Sequence, residues 1–237
     1  MKKVVIVLTV VTALFTSSCR KVVGEGDLQT ETRNVTDFSG VSSGIGGKIS
    51  YRIDPVYKVE ITAQRNILDV IQATKRDGHL LIKVKDGVRI KSNEEIMVSI
   101  SAPTGNYFHL SGAGDLAVTG NIIANDLDLG ISGTGNLTIP SATIADKIKA
   151  VISGSGNINV LAGTTKNEDL KISGSGALFL EGVATENART TISGSGDIKL
   201  KASHSLDATI SGSGSVYYYG NPLISTNISG SGRVRPM

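Results

Sequence analysis

Ile152-Ser153-Gly154-Ser155-Gly156 is one of seven copies of a single phrase: an aliphatic residue, Ser-Gly, a small residue, then Gly. The copies begin at Leu110, Ile131, Ile152, Ile172, Ile192, Ile210 and Ile228, so the steps between them are 21, 21, 20, 20, 18 and 18 residues. A constant period of this size, built from short segments, is the sequence signature of a solenoid.

The flanks of the phrase decide what kind. Two residues after the second glycine stand Leu116, Leu137, Ile158, Leu178, Ile198, Val216 and Val234. Two further on come Val118, Ile139, Val160, Leu180, Leu200 and Tyr218. The column between them is mixed: Ala117, Thr138, Asn159, Phe179, Lys199, Tyr217 and Arg235. Alternation of this kind is a strand with one face in the core. Upstream of the phrase Leu129, Ala150, Leu170, Thr190 and Ala208 alternate with polar residues in the same way. Each copy therefore reads as a strand, a Ser-Gly-small-Gly corner, a second strand, and a variable third side. A single unit cannot bury its apolar side, but stacked units can. The reading is all-β: a single-stranded parallel β-helix with 18 to 21 residues per coil. The handedness of crossover connections favours right-handed coiling, and the 18-residue steps also suit a left-handed coil. The glycines suit a bend that needs positive φ and close approach between coils. The residue between them, always Ala, Thr or Ser, reads as cramped, and the serines as candidates for hydrogen-bonded ladders.

Residues 38–108 continue the style without the strict phrase, as irregular first coils before the regular coils of 109–237. Asp54-Pro55, Asp77-Gly78 and Asp86-Gly87 are turns, and Arg65 to Ile71 is a short helical turn or a crossover. The N-terminus is of another kind. Lys2 and Lys3 precede the apolar run Val4 to Phe15, and Leu14-Phe15-Thr16-Ser17-Ser18-Cys19 resembles a relaxed bacterial lipobox. Residues 1–18 read as a lipoprotein signal peptide, and Cys19, the one cysteine, as the lipidated residue. Several acyl chains there would anchor the protein stably. Residues 19–37 are mostly polar, which predicts a flexible tether.

The composition limits function. Net charge is +3 and aromatics make up 4% of the chain. Neither a basic face nor a stacking cluster for nucleic acid stands out. Seven repeated serines without a recurring base make no nucleophile. Asp115 and Asp197 follow the corner, but Asn136, Asn157, Ala177, Ser215 and Arg233 take the equivalent places, so no calcium repeat is built. No cofactor or metal site is expected.

The corner phrase, the lipobox and the opening Phe38-Ser39-Gly40-Val41, with the stretch from Asn66 to Ile82, resemble the exported bacterial family of putative auto-transporter adhesins with a head GIN domain. The resemblance runs from about Phe38 to Val234. It implies a right-handed β-helix on a Gram-negative envelope lipoprotein, exported and anchored in the outer membrane. It brings no catalytic residues.

Function then falls to what differs between copies. The first reading is a non-enzymatic, adhesin-like module that binds a glycan or a protein through Phe179, Lys199, Tyr217 and Arg235 on the outward column. A polysaccharide lyase or hydrolase is the alternative, resting on fold analogy. Asp126, Asp128, Asp146, Asp169 and Asp207 are its candidate carboxylates, though no pair recurs across neighbouring coils. A structural or assembly role is the third reading. In it the tyrosine-rich last coil, Tyr217, Tyr218 and Tyr219, joins a partner or a second copy.

Overall fold

The computed structural model describes residues 20–237. Strands make up 71% of the model and helix 2%, stacked as a β-solenoid of about 6 turns. Cys19 and the apolar run before it lie outside the described residues.

Two walls carry the repeat. Before the corner, strands Tyr107–Leu110, Asn121–Gly133, Ser141–Gly154, Gly163–Gly174, Ala177–Gly194, Asp197–Gly212 and Leu223–Gly230 follow one another in parallel. After the corner, Asp115–Thr119, Asn136–Ile139 and Asn157–Val160 continue the second wall. It then passes through the starts of Ala177–Gly194 and Asp197–Gly212 to Ser215–Tyr219 and Arg233–Pro236. The register pairs Ile131 with Ile152, Ile152 with Ile172, and Ile172 with Ile192, as the phrase alignment requires. The columns read as apolar are the core: Ile152, Ile192, Leu137, Ile158, Leu178 and Leu200 are buried.

The corner is closed by backbone. The carbonyl of Gly133 accepts N–H groups from both Ser155 and Gly156, and Gly154 repeats this toward Ser175 and Gly176. Gly154 has φ 141, and a Cβ placed there would meet the Gly133 carbonyl oxygen at 2.3 Å. Only glycine meets both demands. The residue between the glycines is not cramped: Thr134, Ser155, Ser175 and Ser195 are exposed, and so are the corner serines. Side-chain bonds between coils fall on other columns. Asp115 Oδ1 accepts both N–H groups of Asn136, and Asn157 Nδ2 donates to Asn136 Oδ1. The carboxylates that could be mistaken for calcium ligands thus tie one coil to the next.

The first coils depart from pure parallel stacking. Gly40–Ser43 and Lys48–Ile53 are parallel members of the two walls. Beyond them Lys58–Gln64 runs antiparallel to Met97–Ala102, and Ile71–Arg76 antiparallel to His79–Val84. Arg65–Leu68 forms one helical turn that buries Ile67 and Leu68. The expected tether over 19–37 meets a different arrangement. Arg20–Val23 pairs in parallel with Val88–Lys91, and Leu28–Thr32 pairs antiparallel with Lys58–Gln64. The physical reason is an unfilled edge. The strand Lys58–Gln64 presents free backbone groups that a polar, β-competent segment such as Gln29-Thr30-Glu31-Thr32 satisfies.

Candidate functional site

Strand alternation sends every second residue of the post-corner wall outward. Register turns these residues into one uninterrupted column. It runs Thr32, Glu60, Ser99, Ser50, Ala117, Thr138, Asn159, Phe179, Lys199, Tyr217, Arg235. Neighbours along it are one strand spacing apart, about 4.8 Å. Phe179, Lys199, Tyr217 and Arg235, far apart in sequence, are thus brought together on consecutive coils. Lys199 Nζ lies 5.3 Å from the centroid of the Phe179 ring, a cation–π contact.

The other end of this column has a different character. Where the outward residues are Ser99, Ser50, Ala117 and Thr138, their small side chains leave a trough of about 700 Å³, with Met97 and Lys48 on its wall. Met97 is 43% exposed. One face therefore carries a mostly apolar trough at its N-terminal end and an aromatic–cation row at its C-terminal end.

The pre-corner wall carries charge. Its outward column alternates in sign: Asp128, Lys149, Asp169, Arg189, Asp207. Lys149 Nζ donates to Asp128 Oδ2 at 2.9 Å, Lys171 Nζ to Asp169 at 3.1 Å, and Arg189 stands 3.7 Å from Asp207. The candidate hydrolase carboxylates Asp128, Asp169 and Asp207 thus lie two coils apart, each held by a cation. Above them His79, Tyr107 and His109 form a three-ring stack, with centroids 4.0 Å apart at each step. Two glycines make it fit. The strand between His79 and Tyr107 carries Gly40, which leaves room above, and a Cβ on Gly130 would meet His109 Nδ1 at 2.6 Å.

His109 Nε2 lies 2.8 Å from Asp128 Oδ1. Burial alone would raise the Asp128 carboxyl, but hydrogen bonds from His109 and Lys149 outweigh it and hold the group below the usual carboxylate range. The same bond raises Lys149. Burial, then the neighbouring His109 charge, lowers His79. Sequence reasoning missed this cluster because its rings come from coils of different kinds. The signal was present: Tyr107 stands three residues before the phrase and His109 one before it, both outward phases.

One further residue breaks its column. Leu127, Ile148, Ala188 and Leu206 are buried in register, and between Ile148 and Ala188 stands Glu168, 3% exposed. Neither of its carboxyl oxygens has a hydrogen-bond partner, and burial pushes its pKa well above the ordinary value.

A sequence profile for the family described as putative auto-transporter adhesin, head GIN domain matches residues 37–222. The chain belongs to this family. Solved structures agree with the fold. A putative adhesin from Bacteroides fragilis NCTC 9343 superposes with a TM-score of 0.80 at 24% identity, over 91% of this chain and 100% of that one. A putative lipid binding protein from Parabacteroides distasonis ATCC 8503 gives 0.73 at 21%, over 92% and 100%. A putative adhesin from Parabacteroides merdae ATCC 43184 gives 0.71 at 22%, over 92% and 99%. No curated protein matches the chain. The family and the β-solenoid that the corner phrase led to are thus both found.

Proposed function

We propose that this protein is a non-enzymatic, adhesin-like binding module of the bacterial cell envelope, and that a glycan lies along the outward column of the post-corner wall. One observation carries the reading. Register sets Phe179, Lys199, Tyr217 and Arg235 on successive coils, at a spacing of about 4.8 Å. That spacing is on the scale of a sugar ring, and aromatic faces beside cations suit sugar C–H faces and hydroxyls. Export and lipidation of Cys19, with anchoring in the outer membrane, belong to the same proposal and rest on the lipobox-like stretch. The test is a glycan array probed with the purified protein and with the double variant Phe179→Ala, Tyr217→Ala. Loss of the retained glycans in the variant supports this face. Full retention, or an array without hits, counts against it.

The trough gives a second reading. Its surface is mostly carbon, with Ala117 and Met97 in its lining, which suits an acyl chain, and one structural relative is a putative lipid binding protein. Displacement of a fluorescent fatty acid, lost on Ala117→Arg, separates it from the glycan reading.

A further inference from the structure

The two ends of the solenoid differ. At the N-terminal end the outermost strands are Leu28–Thr32 and Ile71–Arg76. They carry Glu31, Lys75 and Arg76, and the helical turn Arg65–Leu68 packs Ile67 and Leu68 into the core there. At the other end the pre-corner wall stops at Leu223–Gly230, which pairs with Asp197–Gly212 and, among the described residues, with no strand on its other side. All eight of its residues are exposed. Ile224 and Ile228 continue the columns of Leu206 and Ile210, which are buried. The strand holds neither a charge nor a proline, the usual devices that keep a free edge from pairing.

This edge is also self-complementary. Its inward residues are Ile224, Thr226 and Ile228, with Ser225 and Asn227 outward between them, so the pattern reads nearly the same in both directions from Thr226. Paired antiparallel with itself about Thr226, the strand sets Ile224 opposite Ile228 of the second copy. Thr226 then meets Thr226, and Ser225 meets Asn227, with no like charges opposed. The slope of the end fits the same rotation. A coil rises one strand spacing, about 4.8 Å. Residues 220–222 therefore lie lowest, Leu223–Gly230 next and Arg233–Pro236 highest. A two-fold axis through Thr226, normal to the wall, lays the high side of each copy over the low side of the other.

We propose that a second copy of this chain binds here, edge to edge, and that the two pre-corner walls run on as one sheet across the two-fold. Strand addition satisfies the free N–H and C=O groups of both edges. It also buries Ile224 and Ile228, which drives association. A head-to-tail arrangement would bring up the charged, covered N-terminal end instead, so the contact is isologous and closes at two copies. Arg20–Val23 lies with the first coils, at the far end of the stack, and the dimer holds its two Arg20 ends at opposite poles. With anchoring at that end, as proposed above, copies meet tip to tip from facing surfaces rather than side by side. That step rests on the adhesin reading; the contact itself does not.

The experiment is sedimentation velocity of the full chain over a range of concentrations. The parent is expected to pass from monomer to dimer and no further. Ile224→Lys and Ile228→Asp each bury an unpaired charge and weaken the dimer by more than about tenfold, while circular dichroism shows an intact β fold. Mixing these two variants restores a dimer, because the new cation of one copy faces the new carboxylate of the other. In a Cys19→Ser background Thr226→Cys cross-links to its own mate on oxidation. Asn227→Cys, two residues out of register with its mate, lies too far to do so. Beads coupled chemically to the N-terminus of the chain cluster, and beads carrying Ile224→Lys do not. A parent that stays monomeric at millimolar concentration overturns the proposal. So does a dimer that Ile224→Lys leaves intact or that Thr226→Cys fails to cross-link. A soluble dimer with unclustered beads overturns the tip-to-tip step alone, and that outcome does not depend on lipidation of Cys19.

Discussion

Glu168 makes stability depend on pH in an unusual direction. Burial raises its folded-state pKa, whereas the unfolded chain titrates at about 4.3. Below about pH 4.3 both states hold the proton and the residue costs little beyond its unmet hydrogen bonds. Above it the unfolded chain ionises while the folded chain does not. Stability then falls as pH rises toward the folded-state value, by about 1.4 kcal/mol per pH unit. The loss continues until pH reaches the folded-state value and levels off above it. The comparison is Glu168→Gln, which has nearly the same volume and does not titrate. Urea midpoints of the two proteins, measured in steps from pH 4.5 to 8, should diverge, with the parent falling behind as pH rises above the unfolded value of about 4.3. Taking the difference between the two proteins removes the titration of every other group. Parallel curves, or a parent that gains on the variant as pH rises, would refute the reasoning, because they require Glu168 to be ionised and paired in the fold.

Other outcomes follow from the same geometry. Gly154→Ala forces a side chain to φ 141 and against the Gly133 carbonyl, so it should cost more than about 2 kcal/mol. Gly46→Ala, where a Cβ would meet nothing within 4 Å, should stay within about 0.5 kcal/mol; denaturant midpoints check both. Asp128, held low by His109 and Lys149, contributes stability above the unfolded aspartate pKa that is lost as pH falls through the depressed one. The pair is partly exposed, so Lys149→Met should shift stability near neutrality by less than about 1 kcal/mol. Leu223 is 76% exposed, and Ile224 and Ile228 continue core columns yet are 45% and 40% exposed. Self-association through this coil should appear in light scattering at high concentration and vanish with Ile224→Lys, and a strict monomer would count against it.

Most of the solenoid was legible in the sequence because solenoid geometry is itself a sequence alignment. Once the copies are set on the corner serine, each column of letters is a column of side chains in space. That is why Phe179, Lys199, Tyr217 and Arg235 group together in the sequence alone. The same alignment carried Glu168 in plain view, four residues before Ile172 among Leu127, Ile148, Ala188 and Leu206. The N-terminal third was less readable for a physical reason. Antiparallel pairing of Leu28–Thr32 with Lys58–Gln64 is an edge contact made through backbone groups, which leave no pattern in the side chains. The His79–Tyr107–His109 stack needed the placement of Gly40–Ser43 between its strands, and those precede the first strict copy.

The corner bond by which one glycine carbonyl accepts two N–H groups from the following coil is the same at each step from Gly133 to Gly212. Every regular coil is therefore interchangeable as a spacer. Excising residues 157–176 would join Gly156 to Ala177 and bring two matching surfaces into contact, with every corner still able to form its bonds. Removing a single residue from a wall strand would throw its columns out of phase, whereas the third side absorbs the differences between coils of 21, 20 and 18 residues through its register shifts. Such a molecule lengthens and shortens in whole increments of one strand spacing, about 4.8 Å. Gain or loss of coils is then a route by which relatives could change reach without redesigning a core.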